Sequence, residues 1–263
     1  MKRDLEAAYN NRTRVPDSAA IMAGWASDSA AYRVAKPPRE IAYGAGERHR
    51  LDLFEAGSGP AVMYIHGGYW QAADKSFHSI HARGLNETGV TVAVPSYDLC
   101  PAVLIGDIVQ QVRTACATLA RLINAPVVVS GHSAGGHLAA CLLATEAHVP
   151  SAYAISGLFE LEPLIATSIN DKIGLGAEEA RALSPLFWPA PEGKTLDAVV
   201  GGAESGEFLR QSAEIVRVWG EDGVETRYEE IDGANHFTVI APLTDPHSAM
   251  CERLAQLVRR AAR

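Results

Sequence analysis

The run Val127-Val128-Val129-Ser130-Gly131-His132-Ser133-Ala134-Gly135-Gly136-His137-Leu138 puts a serine in the centre of Gly131-x-Ser133-x-Gly135. A β-rich stretch precedes it and an alanine-rich, helix-forming stretch follows, so Ser133 falls on a sharp strand-to-helix turn. The flanking glycines remove Cβ atoms that would clash where strand and helix approach. Such a turn holds a hydroxyl above a sheet edge at a helix N-terminus, where free N–H groups favour a developing negative charge. A second stretch, Ile65-His66-Gly67-Gly68-Tyr69-Trp70, again follows a strand and carries two consecutive glycines. Gly67 and Gly68 can turn backbone N–H groups toward a reacting carbonyl, with the Ala134 N–H as a further donor. The third stretch is Ile231-Asp232-Gly233-Ala234-Asn235-His236-Phe237. His236 can act as general base, because imidazole titrates near neutrality and this loop lies after the last strand.

The other histidines carry no comparable context. His66 is expected to be structural, and His78 and His81 fall on a helical stretch where a solvated face is expected. His132 and His137 flank the serine and should point elsewhere, while His49, His148 and His247 sit in no motif. For an acid that orients His236, the turn Gly201-Gly202-Ala203-Glu204 follows the strand Asp197-Ala198-Val199-Val200. Glu204 lies just beyond the carboxyl end of that strand, where the acid of such a triad belongs. Asp232 is the alternative. Tyr69 and Trp70 are candidates for a substrate pocket, with Phe159, Phe187, Trp188 and Phe237 as weaker ones.

His66-Gly67-Gly68-Tyr69-Trp70 together with Gly131-His132-Ser133-Ala134-Gly135-Gly136-His137 resembles the HGGxW and GHSAG pair of the esterase and kynurenine formamidase (arylformamidase) branch of the α/β hydrolases. The likeness runs in order from about residue 40 to the C-terminus. It implies a Ser–acid–His triad and metal-independent cleavage of a small ester or N-formyl amide through an acyl-enzyme. The branch's triad more often uses Asp as the acid, so the Glu at 204 is a departure. A thioesterase would use the same residues, and a non-catalytic ligand-binding protein on the same fold is the alternative from another class.

These stretches need a sheet to converge on. Apolar runs at 61–65, 90–94, 126–130, 151–155 and 197–200, and a mixed run at 225–228, read as strands; most are apolar throughout, as strands covered on both faces must be. Helical periodicity fills 108–122, 134–145, 207–219 and 248–260. The alternation predicts an α/β fold with a mostly parallel central sheet and helices on both faces. Residues 40–43 and 50–54 predict an antiparallel hairpin. A single domain over 1–263 is expected, with an N-terminal helical segment over 1–36 packed outside the sheet. A small cap is expected over about 157–195, where Pro163, Pro185, Pro189 and Pro191 break up short helical pieces.

Bulk properties narrow the function classes. The chain has 23 Lys and Arg against 31 Asp and Glu, a formal charge of −8 that disfavours nucleic acid or an anionic membrane as partner. Gly44-Ala45-Gly46 has His49 where a dinucleotide fingerprint needs its third glycine, and there is neither a Walker lysine nor an H-E-x-x-H helix. No cofactor and no metal are therefore expected, and the expected partner is a small-molecule ester or formamide; a homodimer is left open. The four cysteines are widely spaced and form no CxxC pair, which predicts reduced, buried thiols. The N-terminus has charge without a following apolar stretch, so a cytoplasmic protein is the expectation.

Overall fold

The computed structural model describes residues 4–263. Three helices come first: α1 (Leu5–Tyr9), α2 (Asn11–Arg14) and α3 (Ser18–Ala35), covering the predicted N-terminal segment except for residues 1–3, which lie outside the described residues. The strands are β1 (Arg39–Ala42), β2 (Arg50–Phe54), β3 (Ala61–Ile65), β4 (Val92–Pro95), β5 (Val127–His132), β6 (Ser151–Ile155), β7 (Thr195–Gly201) and β8 (Glu225–Ile231). Between and after them run α4 (Arg83–Glu87), α5 (Ile105–Ile123), α6 (Ala134–Thr145), α7 (Asn170–Ile173), α8 (Ala177–Ala182), α9 (Gly206–Glu221) and α10 (Ala249–Ala261).

One eight-stranded sheet has the order β1-β2-β4-β3-β5-β6-β7-β8. β1–β2 and β2–β4 pair antiparallel, and every pair from β3–β4 to β7–β8 is parallel. The α/β-hydrolase fold class expected from the sequence is the one observed. Because side chains alternate along a strand, each central strand feeds two cores. Met63, Ile65, Val127 and Val129 point to one core, with Ile108, Val112 and Leu119 of α5. Val62, Tyr64 and Val128 point to the other, with Met250, Leu254 and Val258 of α10. The four cysteines are buried and unpaired. Among the described residues no helix is long and apolar enough to cross a membrane.

β7 starts at Thr195, two residues earlier than its apolar run suggests, and carries Asp197 with no exposure at all. That carboxylate is tolerated in a strand because Arg253 of α10 grips both its oxygens, at 2.6 and 3.0 Å. A buried charge needs such a partner. The stretch between β6 and β7 contains only short helical pieces, α7 and α8 among them.

The N-terminal helices are fastened at both ends. Tyr9 is fully buried; its hydroxyl donates to Glu207 at 3.1 Å and accepts from Gln211 at 2.7 Å, both on α9. At the far end of α3, Arg33 reaches the buried Asp52 of β2, which also accepts from Lys75 Nζ at 2.7 Å. Ser29 receives the Ile80 N–H at 3.0 Å and donates to the Phe77 carbonyl at 3.0 Å. Side chains on α1 and α3 thus tie them to positions 19 to 198 residues away in sequence.

Candidate active site

β5 ends in the turn that the glycine spacing predicts. Ser133 has φ 57° and ψ −119°, a left-handed conformation that costs a non-glycine residue about 1–3 kcal/mol. Its N–H donates to the Ile155 carbonyl at 2.8 Å, and its own carbonyl accepts from Gly136 at 2.9 Å, so the corner is pinned on both sides. The packing leaves no room for side chains at two flanking positions. A Cβ on Gly131 would lie 2.1 Å from the Gly135 carbonyl oxygen, and one on Gly135 would lie 2.0 Å from that of Ile65. The Ser133 hydroxyl makes no hydrogen bond with a described residue and lines a cavity of about 610 Å³.

The stretch after β3 lies directly beside this corner. A Cβ on Gly67 would come 3.0 Å from the Ser133 Cβ and 2.8 Å from the His132 carbonyl oxygen. Gly68, Tyr69 and Trp70 have φ of 105°, 51° and 57°, so three successive residues hold left-handed backbone. Neither the Gly67 nor the Gly68 N–H donates to an acceptor among the described residues, and both residues line the cavity. Ala134 opens α6, where the first N–H has no intrahelical acceptor. The structure therefore sets Gly67 against the Ser133 side chain, with Gly68 on the wall of the same cavity and Ala134 next in the chain.

His236 is 5% exposed and lines the same cavity. Its Nδ1 lies 2.6 Å from Glu204 Oε2, and both side chains are almost wholly buried. The contact takes up Nδ1 and leaves Nε2 as the ring nitrogen without a partner. Glu204 is fixed in turn: its Oε1 accepts from the Ser156 hydroxyl at 2.5 Å and from the Gly201 N–H at 2.8 Å. Asp232, the alternative acid, is exposed and makes no such bond. Ser156 is a partner that sequence reasoning missed; the Ser-Gly pair closing β6 was its only signal.

His132 is buried and neutral. Burial holds its pKa well below the usual imidazole value, and its Nε2–H donates to the His236 carbonyl at 2.8 Å. This bond fastens the loop that carries His236. His78 and His81 depart from the solvated face expected of them: they are 4% and 1% exposed. Both pack on Trp25 of α3, with ring centroids 5.5 and 5.4 Å away. Burial lowers the His78 pKa well below normal, that of His81 to about 3, and that of His66 to about 4.

The pocket walls also differ from the expectation. Tyr69 lines the cavity, and its hydroxyl donates to the Tyr9 carbonyl at 2.6 Å. Trp70 does not line it. Its indole lies in the core, where it is fully buried and meets His137 edge-on at 5.1 Å. Of the weaker candidates only Phe237 faces the cavity; Phe159 is core, Phe187 lies under Arg181, and the Trp188 indole bonds the Ala182 carbonyl. The missing walls come from the N-terminal helices, through Asn11, Arg12, Met22 and Trp25, and from Ser168, Ile169 and Lys172 between β6 and β7. No amphipathic signal marks α3, whose polar and apolar residues are spread around its circumference.

Among the described residues no three His, Cys, Asp or Glu side chains form a group that could hold a metal ion.

Comparison with known proteins gives a consistent picture. A family profile described as alpha/beta hydrolase fold matches residues 62–179. The chain is 28% identical to a kynurenine formamidase of Danio rerio and 29% to that of Salmo salar, each over 83% of this chain and 81% of the relative. A crystal structure from Silicibacter sp., provisionally assigned as a thioesterase, is 36% identical, with a TM-score of 0.85 over 96% of this chain and 99% of that one. An esterase from Pyrobaculum calidifontis shares the fold at 19% identity, with a TM-score of 0.75 over 94% and 95% of the two chains.

Proposed function

Because the chain belongs to the α/β-hydrolase family, in the branch of esterases and kynurenine formamidases, we propose that it cleaves a small carboxylic ester or aryl formamide through an acyl-enzyme on Ser133. The observation that carries this reading is the buried 2.6 Å contact of His236 Nδ1 with Glu204 at the wall of the cavity that Ser133 also lines.

In this mechanism the substrate carbonyl lies over the Ser133 corner with its oxygen toward the Gly67, Gly68 and Ala134 N–H groups. Ser133 Oγ attacks the carbonyl carbon while His236 Nε2 takes the hydroxyl proton. Glu204 accepts the Nδ1–H, fixes the tautomer and offsets the imidazolium charge. Preorganised N–H groups stabilise the tetrahedral oxyanion; one such donor is worth about 3–4 kcal/mol in the transition state. The protonated His236 then passes its proton to the leaving alcohol or amine, and the bond to the leaving group breaks. Water attacks the acyl-enzyme by the same route, with His236 as base, and releases the acid. Ser133 Oγ and His236 Nε2 share no hydrogen bond in the free protein, and such bonds often tighten only once substrate is bound. The helices before β1 and the stretch 157–194 act together as the cap, and the modest cavity suits a short acyl group.

Labelling by a fluorophosphonate tests the nucleophile: wild type is expected to label and Ser133→Ala is not. Rates on N-formylkynurenine beside a chain-length series of p-nitrophenyl esters then test the substrate class. The likeness to the Silicibacter protein adds a short acyl thioester to that panel, since a thioester passes through the same tetrahedral adduct. Turnover of none of these substrates sinks the reading.

A further inference from the structure

The turn from His66 to Trp70 carries the Gly67 and Gly68 N–H groups, and its shape is costly to hold. Gly68, Tyr69 and Trp70 have φ of 105°, 51° and 57°, and a bulky side chain at positive φ is a backbone outlier. Such a conformation persists only where the surroundings fix it. Three of its carbonyls are taken. That of His66 accepts from the Tyr97 hydroxyl at 2.9 Å, that of Gly68 from the Gln71 N–H at 3.0 Å, and that of Trp70 from the Cys100 N–H at 2.8 Å. These three ties come from just past the turn or from the segment after β4.

A further tie comes from the start of the chain. The Tyr69 hydroxyl donates to the Tyr9 carbonyl at 2.6 Å and accepts from Asn11 Nδ2 at 3.3 Å. Tyr9 closes α1, where a carbonyl has no intrahelical partner, and Tyr69 supplies the partner. Tyr9 and Asn11 are both buried. The Tyr9 hydroxyl is held by Glu207 and Gln211 of α9, and its ring meets Phe208 edge-on at 5.7 Å. The Phe208 ring in turn lies 4.6 Å from that of His236. Tyr9 thus serves both sides of the site: its carbonyl reaches Tyr69 beside Gly68, and its ring reaches the residue that backs His236.

We propose that Tyr69 is a positioning residue for acyl transfer: its hydroxyl, held between the Tyr9 carbonyl and Asn11, fixes the turn so that the Gly67 and Gly68 N–H groups stand ready beside Ser133. This rests on the acyl-transfer reading above and adds a role for the N-terminal segment, which braces the turn as well as walling the cavity. A hydroxyl that donates and accepts at once holds its ring in two directions. A donor N–H that drifts out of line loses more toward an oxyanion than toward a neutral carbonyl. The effect of losing the brace therefore falls on kcat rather than on KM.

Tyr69→Phe tests the idea, because it keeps the ring and removes only the hydroxyl. On p-nitrophenyl acetate it is expected to lower kcat by about tenfold with KM within about twofold of wild type. 2,2,2-Trifluoroacetophenone supplies a second readout, since its adduct with Ser133 sets an oxyanion against the same N–H groups. Its Ki, read as protection from fluorophosphonate labelling, should rise by about tenfold. Asn11→Ala leaves the bond to Tyr9; it should cost about threefold in kcat alone and nothing further in the Tyr69→Phe background. A role in folding alone would lower Tm and leave kcat and Ki unchanged. That result, or a rise in KM alone, overturns the assignment while leaving the acyl-transfer reading intact. Should Tyr69→Phe fail to fold, Asn11→Ala decides, and full kcat in that variant overturns the assignment. A wild-type protein that neither cleaves p-nitrophenyl acetate nor labels with a fluorophosphonate overturns the acyl-transfer reading and this inference with it.

Discussion

Two neighbouring strands of the sheet end in nearly the same corner. At the end of β5, Ser133 has φ 57° and donates its N–H to the Ile155 carbonyl; after β6, Ser156 has φ 50° and donates its N–H to the Val199 carbonyl. Both are buried serines at the carboxyl edge, each hooked onto the next strand. They differ in what the hydroxyl meets. Ser156 Oγ is spent on Glu204, whereas Ser133 Oγ is left facing the cavity beside unpaired backbone N–H groups. A strained corner therefore does not by itself leave a serine hydroxyl open to the cavity. The same backbone device serves once to leave a hydroxyl facing the cavity and once to hold the Glu204 carboxylate against His236.

That division of labour can be broken by substitution. Ser133→Ala should lower kcat by about 10⁵–10⁶ fold with the fold intact, as measured by steady-state rates and thermal melting. Glu204→Gln keeps the shape but presents the wrong group to Nδ1, and a fall in kcat of about 10³–10⁴ is expected. Ser156→Ala should cost only about tenfold in kcat and about 1–2 kcal/mol in stability, because the Gly201 N–H still holds Glu204 Oε1. If Ser156→Ala matches Ser133→Ala in rate loss, the two corners are not divided as argued.

Acid should sharpen the contrast from the side of stability. His66 and His137 have pKa values lowered by burial to about 4, His81 to about 3, and His78 and His132 well below normal. They stay neutral in the folded protein, while an unfolded histidine takes up a proton below about pH 6.5. Stability is thus complete above pH 6.5 and falls as the pH drops toward 4, by about 1.4 kcal/mol per unit for each proton taken up on unfolding. Calorimetric Tm values between pH 7.5 and 5 should decline with more than one proton bound. A flat profile would mean that these rings protonate freely in the native state.

The sheet edge was legible in the sequence because its constraints are local. Gly131 and Gly135 are demanded by atoms within a few residues of Ser133 or on the adjoining strand, and the apolar runs of β3, β5 and β6 announce strands buried on both faces. The pocket walls were not, because they are built by long-range contacts. Tyr69 meets Tyr9 sixty positions away, and Trp25 gathers His78, His81, His132 and Phe237 from three other segments. Trp70 follows Gly67 and Gly68 so closely that a pocket role is expected, yet its indole is fully buried in the core against His137, 67 positions on. Asp197 falls inside a strand as read, but the partner that makes its burial tolerable, Arg253, lies 56 positions on and leaves no local signal.

The left-handed geometry at Ser133 also limits which residues could ever stand there. A β-branched side chain is a severe outlier at positive φ, so threonine, despite its hydroxyl, is excluded by the backbone. Cysteine has one heavy atom on Cβ and meets no such objection. Chemical diversification at this corner is open to sulfur and closed to an added methyl group.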